Sequence, residues 1–384
     1  MKNAAPVRLR AARAMGVTRI ARVTGLDRVG VEVACAVRPG GHVLQVTNGK
    51  GETAGEAERG ALCEAAELWG AEQIQPAQLV QATARELGTR AFLLGKSSSA
   101  GVIDVPRLAQ ARIAWRPARD LFSGEEVLLP AQAVHCPPRG APLGPIAIRW
   151  SSNGMGAHED PARALLHALL EAAERDGLSR TLPGGWTRAA LRERKIDPAT
   201  LPPRAQRLAG RISQAGFLVY LFDLRPRAAW LGLPLAGALL VDGESGPLPL
   251  TAGYACALSS DDALCAALLE AAQSRLTDVH GAREDVTPPD RPASLALAAE
   301  AARWPGKLAL AADAPLAAAE VEGSPREGRL SGRPLKRMND VDMVLEQFRR
   351  AGFARAASVE LAPPGFPLSI VKVLVPGLRV SELL

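Results

Sequence analysis

Between Ala164 and Arg175 the chain reads ALLHALLEAAER, and alanine or leucine fills every position except His167, Glu171, Glu174 and Arg175. At about 100° per residue these four fall within an arc of roughly 100°, which predicts a helix buried almost all round with one polar strip. Carboxylates in such surroundings need compensation, and a cavity holding a cation or a charged ligand supplies it. The pattern recurs as GALCEAAE from Gly60 to Glu67 and as ALCAALLEAAQSR from Ala263 to Arg275. A gapless frame that sets Asp160 on Ser259 puts Glu171 on Glu270, Glu174 on Gln273 and Gly154 on Gly253, and Glu64 and Glu67 repeat the interval. Three glycine-then-helix units predict a pseudo-repeated core.

The remaining pattern is shorter in period. Apolar runs broken by glycine predict two strands between Val17 and Arg38, and a third ending at Asn48-Gly49-Lys50-Gly51. A glycine-rich turn before a helix can cradle phosphate on its backbone amides, but this spacing is neither a P-loop nor a dinucleotide fingerprint. Ala77 to Gln110 reads as peripheral helix and loop with a flexible Lys96 to Gly101 stretch. Ile113 to Val134 reads as strand, turn at Ser123-Gly124, strand, and Pro137 to Pro145 as a surface connection. Asp160 is placed to cap the central helix and Pro161 to open it. Gly177 to Gly210 is rich in arginine and proline and reads as peripheral. Strands are predicted within Gly216 to Leu224, Leu231 to Val241 and Ala357 to Val375, with an amphipathic helix over Val341 to Ala351. Ala293 to Ala319 is alanine-rich and reads as helix and linker.

Composition narrows the function classes. The 384 residues suffice for one large or two average domains. The formal charge of +6 comes from scattered arginines, and with 4% aromatics no basic run is interleaved with stacking platforms, which argues against nucleic acid as a partner. The five cysteines form no CxxC pair, so free thiols in a reducing compartment are expected and a thiolate zinc site is not. The basic start lacks an apolar stretch long enough for a signal peptide, and the longest apolar run, Ala228 to Val241, is broken by Pro234. A cytoplasmic protein with no membrane partner is expected.

Glutamates at i and i+3 share a helix face, so convergence of the three helices would gather Glu64, Glu67, Glu171, Glu174 and Glu270. Magnesium takes oxygen ligands and commonly bridges carboxylates to phosphates, while arginines such as Arg175 and Arg275 would contact phosphate oxygens. On a regular helix, however, Arg275 lies about 140° from Glu270, off the strip. A glycosidase carboxylate pair is the rival chemistry, although it needs no threefold recurrence. A solvated face remains the bland reading of a single EAAE. For His167 the choice is between a core histidine and a ligand contact, and for Asn153 between a turn role and binding.

The runs TNGKGETAGEAERGALCEAAE, SSNGMGAHEDPARALLHALLEAAERD, ALCAALLEAAQSRLTDVHGARED and the terminal VKVLVPGL together resemble the YcaO family in order and spacing. The opening GVTRIARVTGLDRVGVEVACAVRP resembles the subgroup encoded beside TfuA proteins. The resemblance implies a mixed α/β (α+β) fold with strand-Gly-helix units around a nucleotide site. It implies one catalytic domain over 1–384, with a core at about 17–290 and the segment 291–384 packing on it. It further implies an ATP- and magnesium-dependent enzyme that activates a peptide backbone amide, in thioamide formation with a TfuA-like partner and a sulfide or other sulfur donor, as in ribosomal peptide modification. By the same resemblance Glu64, Glu67, Glu171, Glu174 and Glu270 are metal ligands. Arg175, Gln273 and Arg275 match nucleotide-contacting positions, Asn153, His167 and Arg283 join them as candidate ATP contacts, and Glu171, Glu174 and Arg175 are the candidates for catalysis. Gly60 and Leu68 depart from the serine and arginine common in the first family motif. The proline-rich tail of azoline-forming members is absent, which favours thioamidation over cyclodehydration. An azoline-forming cyclodehydratase and a nucleotide-binding accessory module stay open as alternatives, and the oligomeric state, including a homodimer, stays open as well.

Overall fold

The computed structural model describes residues 6–95, 101–136, 143–228, 230–244, 246–287, 290–310 and 339–380. The predicted stretch Lys96 to Ala100, most of the Pro137 to Pro145 connection and the end of the alanine-rich segment lie outside the described residues.

Three antiparallel sheets carry the molecule. The first runs β1 (Arg19–Arg22), β2 (Glu32–Val37), β3 (Val46–Gly51) in spatial order. The second has six strands. In it β4 (Val80–Ala82) and β6 (Glu126–Pro130) both pair with β5 (Ile113–Asp120), and β7 (Met155–His158) forms the far edge. The third is a meander of β8 (Phe217–Asp223), β9 (Leu235–Asp242) and β10 (Leu250–Cys256). All eight residues of β9 are buried, as expected of a central strand covered on both faces. The last two strands, β11 (Ala357–Glu360) and β12 (Ser369–Leu374), lie between β5 and β7 in the six-stranded sheet. The carboxyl-terminal segment therefore supplies central strands rather than only packing on a finished core.

Each sheet hands its chain to one long helix. β3 leads into the helix Ala54–Glu72, β7 into Pro161–Thr181 and β10 into Ser260–His280. Each start is satisfied by a side chain. Thr53 forms a reciprocal capping box with Glu56, Asp160 accepts from the Ala162 amide, and Ser259 accepts from the Asp262 amide.

The strand glycines set how close helix and sheet come. A Cβ on Gly49 would lie 2.1 Å from the Ala57 carbonyl oxygen, and one on Gly156 2.2 Å from that of Ala164. On Gly253 it would lie 2.2 Å from the Ala271 nitrogen. Backbone thus meets backbone, and alanine on the helix completes the fit. The Asn48 to Gly51 tetrad ends β3, as the sequence pattern predicts, and Gly49 serves helix packing.

Candidate functional site

The repeat visible in the sequence is also a repeat of hydrogen bonds. The Glu64 carboxylate accepts from the Asn48 amide at 2.8 Å, Glu171 from the Met155 amide at 3.1 Å, and Glu270 from the Tyr254 amide at 3.3 Å. In each case the glutamate lies 16 residues beyond the strand position it holds. Glu171 also accepts from the Gly154 amide, at 3.1 Å.

The second glutamate of a helix reaches the next unit. Glu67 accepts from the Ala157 amide on β7 at 3.0 Å, and Glu174 from the Cys256 amide on β10 at 3.3 Å. Both amides belong to the residue two places after the one bound by its own helix. Gln273 stands where the third such carboxylate would be, and the link from its helix back to β3 is made otherwise. Lys50 donates to Glu270 at 2.6 Å, and Asn48 donates to Thr277 at 2.9 Å. The three units therefore form a ring.

The charges this ring concentrates are compensated from within. Lys50 pairs with Glu270, the Arg175 Nε lies 3.7 Å from Glu174, and Arg283 lies 3.7 Å from Glu64 while binding Asp285 at 2.6 Å. Lys372 on β12 is only 1% exposed. Its ammonium donates to the Ser151 carbonyl and lies 5.3 Å from the centre of the Trp150 ring. Burial pulls its pKa down to about 8, against the upward pull of Glu171 and Glu67.

The carboxylates respond to the same environment. Burial raises Glu64, and burial together with the charges of Glu171 and Glu64 holds Glu67 well above the ordinary carboxylate range. Glu174 is pushed up to about 8 by burial, which outweighs the opposing pull of Arg175. For Glu270 burial also acts upward, but the Lys50 ammonium outweighs it and the pKa falls.

Five carboxylates thus face four cationic side chains. Among the described residues no three His, Cys, Asp or Glu side chains converge closely enough to grip one ion. Their oxygens are aimed at strand amides and internal cations instead. The donor set still fits a magnesium–phosphate ligand. It offers hard oxygens, carboxylates whose protons are displaceable by a cation, and a buried Arg175 Nε with no hydrogen-bond partner.

The other expected contacts divide. His167 is exposed on the same helix, and Asn153 is half-buried in the turn before β7, next to Gly154 at φ +76°. Gln273 is half-buried on the third helix. Arg283 reaches the ring at Glu64.

Arg275 does not come to it. Its guanidinium is 4% exposed and bound by Asp27 at 2.5 Å, by the Leu248 carbonyl at 2.7 Å and by Asp242 at 3.0 Å, over the Phe217 ring. The helical angle that turned it off the strip prevails over the nucleotide contact implied by resemblance, because two buried carboxylates hold it elsewhere.

Sequence reasoning missed Lys50 and Lys372 as parts of the site. A signal existed for Lys372, a lone charge inside the otherwise apolar run SIVKVLV, since a lysine in a buried strand needs an acceptor. It also missed Tyr254, whose hydroxyl accepts from the Trp186 indole at 2.9 Å and whose pKa burial raises to about 12.

The fold has counterparts. The chain is 29% identical to an uncharacterized protein in the tfuA 3′ region of Rhizobium leguminosarum bv. trifolii, over 96% of this chain and 85% of that one. It is also 29% identical to an uncharacterized protein of Methanothermobacter thermautotrophicus, over 95% and 90% of the two chains. Among solved structures it is similar to YcaO from Methanopyrus kandleri bound with AMPPCP and Mg2+, with a TM-score of 0.66 at 20% identity, covering 98% of this chain and 92% of that chain. A heterocyclase in complex with substrate and cofactor gives a TM-score of 0.68 at 19% identity, over 99% and 53%. Residues 48–379, from the amide that Glu64 holds to the residue after the VKVLVPGL run, match the family described as YcaO cyclodehydratase, ATP- and Mg2+-binding, and the chain belongs to that family.

Proposed function

We propose that this protein is an ATP- and magnesium-dependent enzyme that converts a backbone amide of a peptide or protein into a thioamide, working with a TfuA-like partner. The observation that carries the reading is the ring of carboxylates with the buried Arg175 Nε, which makes no hydrogen bond, beside it, in a chain whose relative lies in a tfuA region. When bound, magnesium-ATP supplies the phosphoryl group that makes the amide oxygen a leaving group.

The chain's own residues do the rest by position and charge. Glu64, Glu67, Glu171, Glu174 and Glu270 would hold the metal, each giving up a proton, a strand amide or an internal cation to do so. Arg175, whose Nε makes no hydrogen bond, and Arg283 would meet phosphate oxygens, and Asn153, His167 and Gln273 would line the approach. Lys372 would keep the Ser151 to Gly154 turn and its Asn153 in place through the Ser151 carbonyl. Arg275 is left out of the nucleotide set and holds the third helix to the Asp27 and Asp242 side of the fold. No protein nucleophile is required. Sulfide adds to the amide carbon, the oxygen departs as phosphate, and the C=S bond remains, so that one sulfur replaces one oxygen.

The family description favours one other reading, cyclodehydration by a substrate cysteine, serine or threonine. Mass spectrometry on a candidate peptide incubated with ATP, magnesium, sulfide and the TfuA-like protein separates the two. Exchange of oxygen for sulfur supports thioamidation, and loss of water supports the azoline. An unchanged peptide mass despite ATP binding would sink both and leave a nucleotide-binding accessory.

A further inference from the structure

An arginine-lined cleft lies away from the carboxylate ring. It has a volume of about 430 Å3 and opens at the carboxyl-terminal end of the helix Pro161–Thr181, where Arg180, Arg194, Arg227 and Arg379 line it with Ser179 and Thr181. Thr181 is ten residues beyond Glu171 on that helix, roughly 15 Å along its axis. None of the ring's glutamates lines the cleft.

Its charge is not balanced. Arg180 binds Asp176 at 2.7 Å and Arg227 binds Glu193 at 2.5 Å, but Glu193 is shared with Arg192. The Asp176 carboxylate is already occupied by the Trp230 indole and the Arg379 amide. Among the described residues Arg194 donates to the carbonyls of Asp223 and Arg225, while the Asp223 carboxylate is taken by Arg225. The exposed Arg379 side chain has no partner among the described residues. Burial, and after it the charge of Arg227, lowers the Arg194 pKa against the opposing pull of Asp223 and Glu193.

We propose that this arginine-lined cleft is a second binding site, for a ligand carrying several oxyanion groups. Planar guanidinium forks match carboxylate and phosphate oxygens, and the volume falls in the range of small-ligand pockets rather than that of a single phosphate ion. A diphosphate group and the neighbouring carboxylates of an acidic peptide segment present the same chemistry. The site is independent of the activity proposed above, since it shares no ligand residue with the ring.

Calorimetry on the full chain in low-salt, magnesium-free buffer tests this with two probes, pyrophosphate and a tetraglutamate peptide. At least one should bind, and Arg194→Gln combined with Arg379→Gln should weaken it about tenfold or more. Arg379→Glu alone, which removes no structural contact of that side chain, should weaken it in the same direction and serves if the double variant fails to fold. Glu171→Gln should bind the probe as the wild type does. Preference for pyrophosphate identifies a phosphate-bearing ligand, and preference for tetraglutamate an acidic peptide segment. The proposal is overturned if neither probe binds, if Arg379→Glu binds unchanged, or if Glu171→Gln abolishes binding, which would place the probe in the ring.

Discussion

The Glu67 carboxylate holds the Ala157 amide at 3.0 Å, although the two residues belong to different strand–helix units and lie 90 positions apart. The same side chain that would bind metal therefore fastens the first unit to the second. Because burial and neighbouring charges favour its protonated form, a neutral amide should do the structural part of its work. Glu67→Gln should keep the thermal midpoint close to wild type and weaken magnesium-ATP binding about tenfold or more by calorimetry. Glu67→Ala should lower both. Wild-type affinity in the glutamine variant would remove Glu67 from the metal set.

The raised carboxylates make stability and binding depend on pH in a defined direction. Burial lifts the Glu174 pKa in the folded state to about 8 from its ordinary 4.5, so in that window the folded protein binds more protons than the unfolded chain. Stability from this group therefore falls as pH rises from about 4.5 towards 8, with Glu64 and Glu67 acting in the same sense. Glu270, whose pKa is lowered, acts oppositely and loses its contribution only in acid. Magnesium-ATP should accordingly expel protons on binding near pH 7. Titrations in buffers of different ionisation enthalpy will show this, and a buffer-independent heat would contradict it.

Backbone contact between strand and helix leaves no room for a methyl group at Gly156. Gly156→Ala should cost at least about 1–3 kcal/mol in denaturant unfolding. Gly55→Ala, where a Cβ meets nothing within 4 Å inside a helix, should be neutral or stabilising by about 0.5–1 kcal/mol. Equal effects at the two sites would show that the close approach is not what the strand glycine is for.

Arg275 separates resemblance from geometry. Removing it strands Asp27 and takes from Asp242 one of its two guanidinium partners, Arg28 remaining at 2.6 Å, and breaking a buried pair typically costs about 3–5 kcal/mol. Arg275→Gln should therefore lower the unfolding midpoint while the surviving folded protein binds magnesium-ATP as before. A full-strength fold with lost nucleotide affinity would return Arg275 to the binding set.

Local sequence was enough to read the three long helices, the Asp160 cap of the central one and the shared carboxylate strip, because these depend on residues within a few turns of one another. The strands around Ile113, Phe217 and Leu235 were legible for the same reason. What could not be read was whatever depends on distant pairing. The Asp27 partner of Arg275 lies 248 positions away, and β11 and β12 join strands more than 200 residues earlier. Lys50 was visible only as part of a glycine-rich tetrad, since its acceptor, Glu270, sits on another unit.

The position of β12 also governs when the site can exist. Because β7 finds its strand partner in residues 369–374, the ribosome must deliver nearly the whole described chain before the second unit is seated. The nascent polypeptide must wait with β7 unpaired, an aggregation hazard that late-arriving partners create. By the same delay, a chain that has not yet reached residue 372 would lack the Lys372 clamp on the Ser151 turn, so the proposed nucleotide site would be complete only after β12 has been made.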